Sequence, residues 1–279
     1  MRIIPHELKT SLFHSYLLGS VSPRPICFAS TIDKNGFPNL SPFSFFNTFG
    51  SKPPIMIFSP ARRVRDNTIK HTLENILDTK EVVINVVNYP MVQQASLSSC
   101  EYPKEVNEFI KSGFTPIESE IVKPFRVKES PAQFECKVLD IIHTGTEGGA
   151  GNLIICEVLL MHLNDDVLDA EGQIDPHKID LVARMGKDYY CRASGDAVFE
   201  VPKPNSKLGM GFDALPEVVK HSQVLSGNHL GQLANFTEIP AKDEQFIVDS
   251  SKDLFQLAKD FLDKNDADSA WQVLLRVIN

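Results

Sequence analysis

Residues 24–49 constrain the fold more than any other stretch. From Arg24 to Ile32 the chain reads Arg-Pro-Ile-Cys-Phe-Ala-Ser-Thr-Ile, an apolar and β-branched run that ends at Asp33-Lys34-Asn35-Gly36. That ending is a strong turn signal, so the run is read as a strand that doubles back. A second extended segment follows at 40–49, where Ser41, Phe43 and Phe45 alternate with Pro42, Ser44 and Phe46 and put small polar groups on both faces. Pro53-Pro54 forbids helix and presets an extended entry into a third strand at 55–59. The β-branched run at 81–87 and the apolar runs at 133–143 and 152–163 add further strands. The last two are joined by Thr-Gly-Thr-Glu-Gly-Gly-Ala-Gly, a hairpin with a flexible tip.

Helices interrupt this β pattern. Asp66 or Asn67 is placed to cap a helix over 68–77, with Ile69, Leu73, Ile76 and Leu77 as its buried face. Short helices are predicted at 91–97 and 105–111, the second stopping at Gly113. After Lys203-Pro204-Asn205 the character changes, and 213–221, 252–262 and 268–277 read as helices. Leu254, Leu257 and Phe261 line one apolar face of the last pair; Ala270, Val273 and Leu274 line the other. The expected organisation is a β-rich body over 1–203 and a mainly helical extension over 204–279.

Composition removes several function classes. Asp plus Glu number 36 against 28 Lys plus Arg, a net charge of -8, so no nucleic-acid partner is expected. The five cysteines form an odd set with no Cys-x-x-Cys pair, which reads as reduced thiols in a cytoplasmic setting. The longest apolar stretch, 153–161, is broken by Glu157 and too short to span a bilayer, and the N-terminus carries no signal-peptide pattern. A soluble cytoplasmic protein with no membrane partner is expected.

Three constellations carry candidate chemistry. Asn39 precedes Ser41-Pro42-Phe43-Ser44-Phe45-Phe46-Asn47, and a core strand rarely holds so many hydroxyls and amides, because each needs a partner when buried. Beside phenylalanines they suit a planar heteroaromatic ligand with polar edges; a barrel strand with one wet face would read the same way. Ser59-Pro60-Ala61-Arg62-Arg63-Val64-Arg65-Asp66-Asn67-Thr68 sets three arginines at a strand-to-helix turn of an acidic protein. Guanidinium forks and free helix N–H groups there suit a phosphate; a solvated charge run is the alternative. Ala183-Arg184-Met185-Gly186, followed by Tyr189-Tyr190, offers either a loop arginine that closes a site or a structural, salt-bridged one.

Other signals fail on context. Gly209-Met210-Gly211-Phe212-Asp213-Ala214 matches Gly-x-Gly-x-x-Ala but follows a proline-containing loop, not a strand. No phosphate-loop, nucleophile-elbow or His-Glu-x-x-His motif exists, and Asp175, His177 and Asp180 read as a polar surface loop. No nucleophile-and-base pair is nominated, and no metal ligand.

Taken together, Arg24-Pro25, the Ala-Ser-Thr strand, Asp-x-x-Gly, Asn-Leu-Ser-Pro-Phe-Ser-Phe-Phe-Asn, and Pro-Pro before a strand ending in Ser resemble the flavin reductase-like family of FMN-binding split barrels, which includes flavoredoxin-type proteins. Arg65-Asp66-Asn67-Thr68, with Asn75 further on, is similar to that family's Asp-Thr-x-x-Asn segment. Ser130-Pro131 with Phe134-Glu135-Cys136, and Ala183-Arg184-Met185-Gly186 with Tyr189, resemble two further family motifs. The resemblance covers about residues 15–200. It implies a six-stranded antiparallel split β-barrel of Greek-key type with peripheral helices and a helical C-terminal extension. It also implies noncovalent FMN and a homodimer with flavin near the interface. Asn39, Ser41, Pro42, Phe43, Ser44 and Asn47 would line the ring and ribityl chain, with Thr31 facing the ring. Ser59, Arg62, Arg65, Asn67 and Thr68 would surround the phosphate, Arg62, Arg63 and Arg65 being alternatives, and Arg184 would reach in. The implied activity is an NAD(P)H-dependent flavin reductase with NADH or NADPH as hydride donor and a small-molecule or protein electron acceptor. An electron carrier reduced by a partner protein and a non-catalytic flavin-binding module are the alternatives.

Overall fold

The turn chemistry at 33–36 acts as expected. α1 (Thr10–Ser20) leads into β1 (Cys27–Ile32) and β2 (Pro38–Phe43), which pair antiparallel. Asp33 Oδ1 accepts from the N–H groups of Asn35 and Phe37, each at 2.8 Å, and Gly36 takes a φ of 84° that a side chain would strain. β3 (Phe46–Ser51) and β4 (Pro54–Phe58) follow, then α2 (His71–Thr79), β5 (Glu81–Val86), α3 (Val92–Leu97) and α4 (Glu108–Ser112). The short β6 (Pro116–Ile117) and β7 (Arg126–Val127) precede the 12-residue strands β8 (Ala132–His143) and β9 (Asn152–Leu163). α5 (Pro176–Ile179), β10 (Val182–Arg184) and β11 (Tyr190–Arg192) end the β-rich part. These are features of a computed structural model that describes residues 1–202, 207–249 and 251–278.

Seven strands form one antiparallel sheet in the order β2-β1-β5-β8-β9-β4-β3. The resemblance implied six; the seventh arises because 40–49 is not one strand. It breaks at Ser44-Phe45, and β2 and β3, consecutive in sequence, lie at opposite edges of the sheet. Two linking residues span at most about 11 Å. The sheet therefore curls until its edges approach, leaving a seam open between β2 and β3 in place of a closed ring of hydrogen bonds. Side-chain alternation agrees: Cys27, Ala29, Phe43, Met56, Phe58, Val82, Ile84, Cys136, Val138, Ile154 and Cys156 converge on one interior cluster, and Phe46 of β3 packs against it.

β1 is buried along its whole length because both of its faces are covered. Phe28 and Leu40 on the outer face pack with Met91, Ala95 and Phe109 from the α3–α4 layer. α2 begins at His71, later than expected, with Lys70 at the N-cap position and no side-chain cap. Asp66 instead closes a turn, its Oδ1 accepting from the Thr68 N–H and hydroxyl. The buried face of α2 is Thr72, Leu73, Asn75 and Ile76, while Leu77 is exposed. α4 ends as expected at Gly113, which takes a φ of 71°.

The chain divides into two compact units, Met1–Phe199 and Glu200–Asn279. The boundary expected at 203/204 lies outside the described residues. In the second unit α6 (Glu217–Lys220), α7 (Gly227–Ala234), α8 (Leu254–Leu262) and α9 (Ala267–Ile278) enclose Trp271, Leu233, Val273 and Leu274 in a separate core. α7 starts at a capping box, Ser226 accepting from the His229 N–H and His229 Nδ1 from the Ser226 N–H. Among the described residues no helix is long and apolar enough to cross a membrane.

Candidate functional site

The free edge of β2 organises the site. Leu40 N–H points away from β1 and reaches the Glu108 carboxylate at 3.2 Å, so Pro42, two residues on, faces the same unpaired edge. Its missing N–H therefore costs no ladder bond. Along this edge runs a cavity of about 340 Å³, lined by Pro42, Phe43 and Ser44, by Val92, Ala95 and Ser96 of α3, and by Arg184 and Tyr190 of the β10–β11 ribbon. Arg184 stacks over the Tyr190 ring at 4.6 Å and donates to the Lys187 carbonyl. Arg24 is buried behind this wall; its guanidinium donates to the carbonyls of Leu18, Val21 and Met185, tying the end of α1 to the ribbon.

Ser99 also lines a second, smaller cavity of about 30 Å³, whose other walls include Asn39, Ser41, Arg63, Lys70, His71, Glu101 and Glu108. Here the polar side chains of β2 are held from behind. Asn39 donates to Glu108 at 3.0 Å and accepts from the Thr72 hydroxyl at 2.7 Å; Asn75 donates to Thr31 at 3.1 Å. The spacing Thr-x-x-Asn is thus met by Thr72 and Asn75 on one face of α2, not by a segment starting at Thr68. Burial pushes the Glu108 carboxyl up, against the pull of its N–H donors.

The cations at this end are unequal. Arg62 spends its fork inside its own turn, Nε on Asn67 Oδ1 and Nη2 on the Asn67 carbonyl, both at 2.6 Å. Asn67 takes a left-handed φ of 57° to make this possible. Arg65 is largely exposed and pairs with Asp66 and Glu101 at 3.0 and 2.8 Å. Hydrogen bonds from Thr68 hold the Asp66 carboxyl at about 2. Arg63 lines the small cavity, donating to Glu101 at 3.0 Å and to the Thr68 hydroxyl at 2.9 Å. Lys70 lies beside it, half-buried, 5.2 Å from the centre of the Phe43 ring and without a carboxylate partner among the described residues. Desolvation first, and then Arg63, lower its pKa. An unpaired cation held out of water is an arrangement that an anion relieves.

The 144–151 tip, expected to be flexible, pins this turn. Arg62 N–H donates to the Ala150 carbonyl at 2.8 Å and Gly149 N–H to the Arg62 carbonyl at 3.0 Å. A Cβ on Gly148 would stand 3.0 Å from the Arg63 carbonyl, so the close approach needs glycine there. Ser59 serves the same anchor, its hydroxyl accepting from the Asn152 N–H at 3.0 Å.

Of the residues nominated from sequence, Pro42, Phe43, Ser44 and Arg184 meet at the large cavity, and Asn39 and Ser41 at the small one. Thr31, Asn47, Ser59, Arg62, Arg65, Asn67 and Thr68 line neither. Thr31 is buried beneath Asn75, and Asn47 is exposed on β3, where its side chain accepts from the Thr48 N–H. Lys70, Glu101, Glu108 and the α3 residues were not singled out, whereas Tyr190 was noted beside Arg184 and lines the large cavity with it. Thr72-x-x-Asn75 was the available signal for Lys70, which stands two residues before it.

Two cavities that share Ser99, one with apolar and hydroxyl walls and the other lined by two cations, suit a flavin mononucleotide: surface for a ring, donors for its edges, counter-charge for its phosphate. Comparison with known proteins agrees. A protein of Aquifex aeolicus is 37% identical over 201 residues, 72% of this chain and 100% of that one. Nitrilotriacetate monooxygenase component B from Bacillus cereus superposes with a TM-score of 0.67 at 27% identity, covering 72% of this chain and 98% of its own. A Shewanella frigidimarina protein with a split barrel domain gives 0.61 at 28% identity, over 73% and 99% of the two chains. Residues 18–178 match the flavin reductase like domain, and the chain belongs to that family.

Proposed function

We propose that this protein binds FMN noncovalently along the β2 edge and is a flavin oxidoreductase that takes hydride from NADH or NADPH. The observation that carries the reading is the half-buried, unpaired Lys70 beside Arg63, at one end of a groove whose other end is walled by Pro42, Phe43, Ser44 and Ala95. The flavin, once bound, supplies the redox chemistry, so this reading requires no side-chain acid–base pair. The protein's part is to bind and orient. Pro42, Phe43, Val92 and Ala95 exclude water from the ring, Ser44 and Ser96 offer hydroxyls to its edges, and Arg63 and Lys70 hold the phosphate. Arg62, Asn67 and Thr68 build the turn that presents Arg63. Arg184, seated on Tyr190, closes the far wall.

A homodimer is part of the proposal. α1 has no buried residue and exposes Leu12, Tyr16 and Leu17, while edge strand β3 exposes Phe49. Exposed apolar side chains of this kind are what an association surface between two copies would cover. The electron acceptor is a small molecule or a partner protein.

The test is direct. Protein loaded with FMN is mixed anaerobically with NADH or NADPH, and loss of the oxidised-flavin absorbance is followed. Rapid bleaching by either nicotinamide is expected. Protein that holds FMN but stays oxidised would instead be an electron carrier or a binding module, and protein that takes up no FMN overturns the whole assignment.

A further inference from the structure

We propose that Glu101 determines which flavin this groove accepts, admitting the monophosphate and rejecting a flavin whose phosphate is extended by a second phosphate and a nucleoside. The inference rests on the flavin-binding reading above. Glu101 follows α3 and turns back over the cation end of the groove, one carboxylate oxygen 3.0 Å from Arg63 Nε and the other 2.8 Å from Arg65 Nη2. With Cys100 and Tyr102 it shares the lining of the cavity of about 30 Å³ with Arg63, Lys70 and His71. That space is smaller than a phosphoryl group, so a monoester enters by displacing the Glu101 carboxylate from Arg63, and a diphosphate with nucleoside must displace more of the lining. On this proposal a longer ligand passes Cys100-Glu101-Tyr102, which line the cation end, and its second phosphate meets the Glu101 carboxylate.

Charge points the same way. Lys70, and Arg63 once a phosphate takes the place of Glu101 on it, together suit the charge of one phosphate monoester, and Arg65, paired with both Asp66 and Glu101, has little left to give a second one. A like charge set against the second phosphate weakens binding of the longer ligand. Replacing Glu101 by glutamine keeps the length and a hydrogen-bonding oxygen while removing that repulsion.

The experiment titrates riboflavin, FMN and FAD into the full-length protein and into Glu101→Gln, following flavin fluorescence, with thermal melting as a check on folding. The carboxylate is half-exposed, so the variant is expected to fold. Riboflavin affinity should stay within about twofold, FMN should tighten by a few-fold, and FAD should tighten by about tenfold or more. The FMN-to-FAD preference therefore falls. A preference unchanged from wild type, or riboflavin shifting as much as FAD, overturns the role of Glu101 while leaving flavin binding intact. Wild-type protein that binds none of the three overturns the flavin reading itself, and this inference with it.

Discussion

Substituting Lys70 tests the electrostatic reasoning most sharply, because it sets binding against stability. Lys70 is half-buried with its ammonium near the Phe43 ring, and Arg63 adds like charge beside it. Lys70→Met keeps the apolar stem on Phe43 and deletes the charge. One charge-assisted hydrogen bond contributes about 1.5–3 kcal/mol, so FMN affinity should drop roughly 10- to 150-fold. Riboflavin, which lacks the phosphate, should bind as before. In the flavin-free protein the same change removes a cation whose burial and Arg63 neighbour outweigh the favourable charge of Glu101, so stability should hold or rise by up to about 1 kcal/mol. The linkage sign agrees: a lysine whose folded pKa is lowered binds its proton less well in the folded state, so wild-type stability rises as pH climbs through the folded value towards the unfolded one near 10.4. The variant should lack that rise. Fluorescence titration with both flavins and urea unfolding of the flavin-free protein are the measurements. Equal weakening of FMN and riboflavin, or no weakening of FMN, would place the phosphate elsewhere and refute the argument.

Other perturbations follow from buried polar groups. Glu135 is fully buried and accepts from the N–H groups of Glu120, Ile121 and Val122 and from His162 at 2.7 Å. Burial alone would raise its carboxyl, and these donors outweigh that and leave it below the usual range. Its contribution is thus present above about pH 4.3, the unfolded value, and is lost as pH falls through the folded one. Glu135→Ala should cost about 3–5 kcal/mol in urea unfolding at pH 7 and make the remaining stability less sensitive to acid. Glu108 behaves oppositely: its raised pKa means stability declines as pH rises from the unfolded value through the folded one, and Glu108→Gln should flatten that decline in melting curves. The Ser30 hydroxyl is buried without a partner among the described residues, so Ser30→Ala should leave the urea midpoint unchanged or raise it, by up to about 1–2 kcal/mol of stability.

What the sequence disclosed, and what it hid, divides along the range of the forces involved. The β1–β2 hairpin was legible because Asp33 and Gly36 make their turn from four adjacent residues. The long strands β8 and β9 and the apolar face of α9 were legible from periodicity. The break at Ser44-Phe45 was not, since both residues tolerate extended backbone and only the curl of the sheet separates β2 from β3. The same limit governs the site. Three arginines announced an anion end, but which cation faces the groove is decided by Asn67 occupying Arg62, by Asp66 and Glu101 occupying Arg65, and by a hairpin tip some 90 residues away pressing on the Arg63 backbone. Gly148 of that tip looked like slack and sits where a Cβ would crowd the Arg63 carbonyl. Lys70 carries no motif of its own; its value comes from lacking a partner, a property that exists only once every neighbouring carboxylate has a position. Residues whose roles rest on local geometry can be read from the chain, whereas a residue that matters because its charge is left unmet becomes visible only in the folded protein.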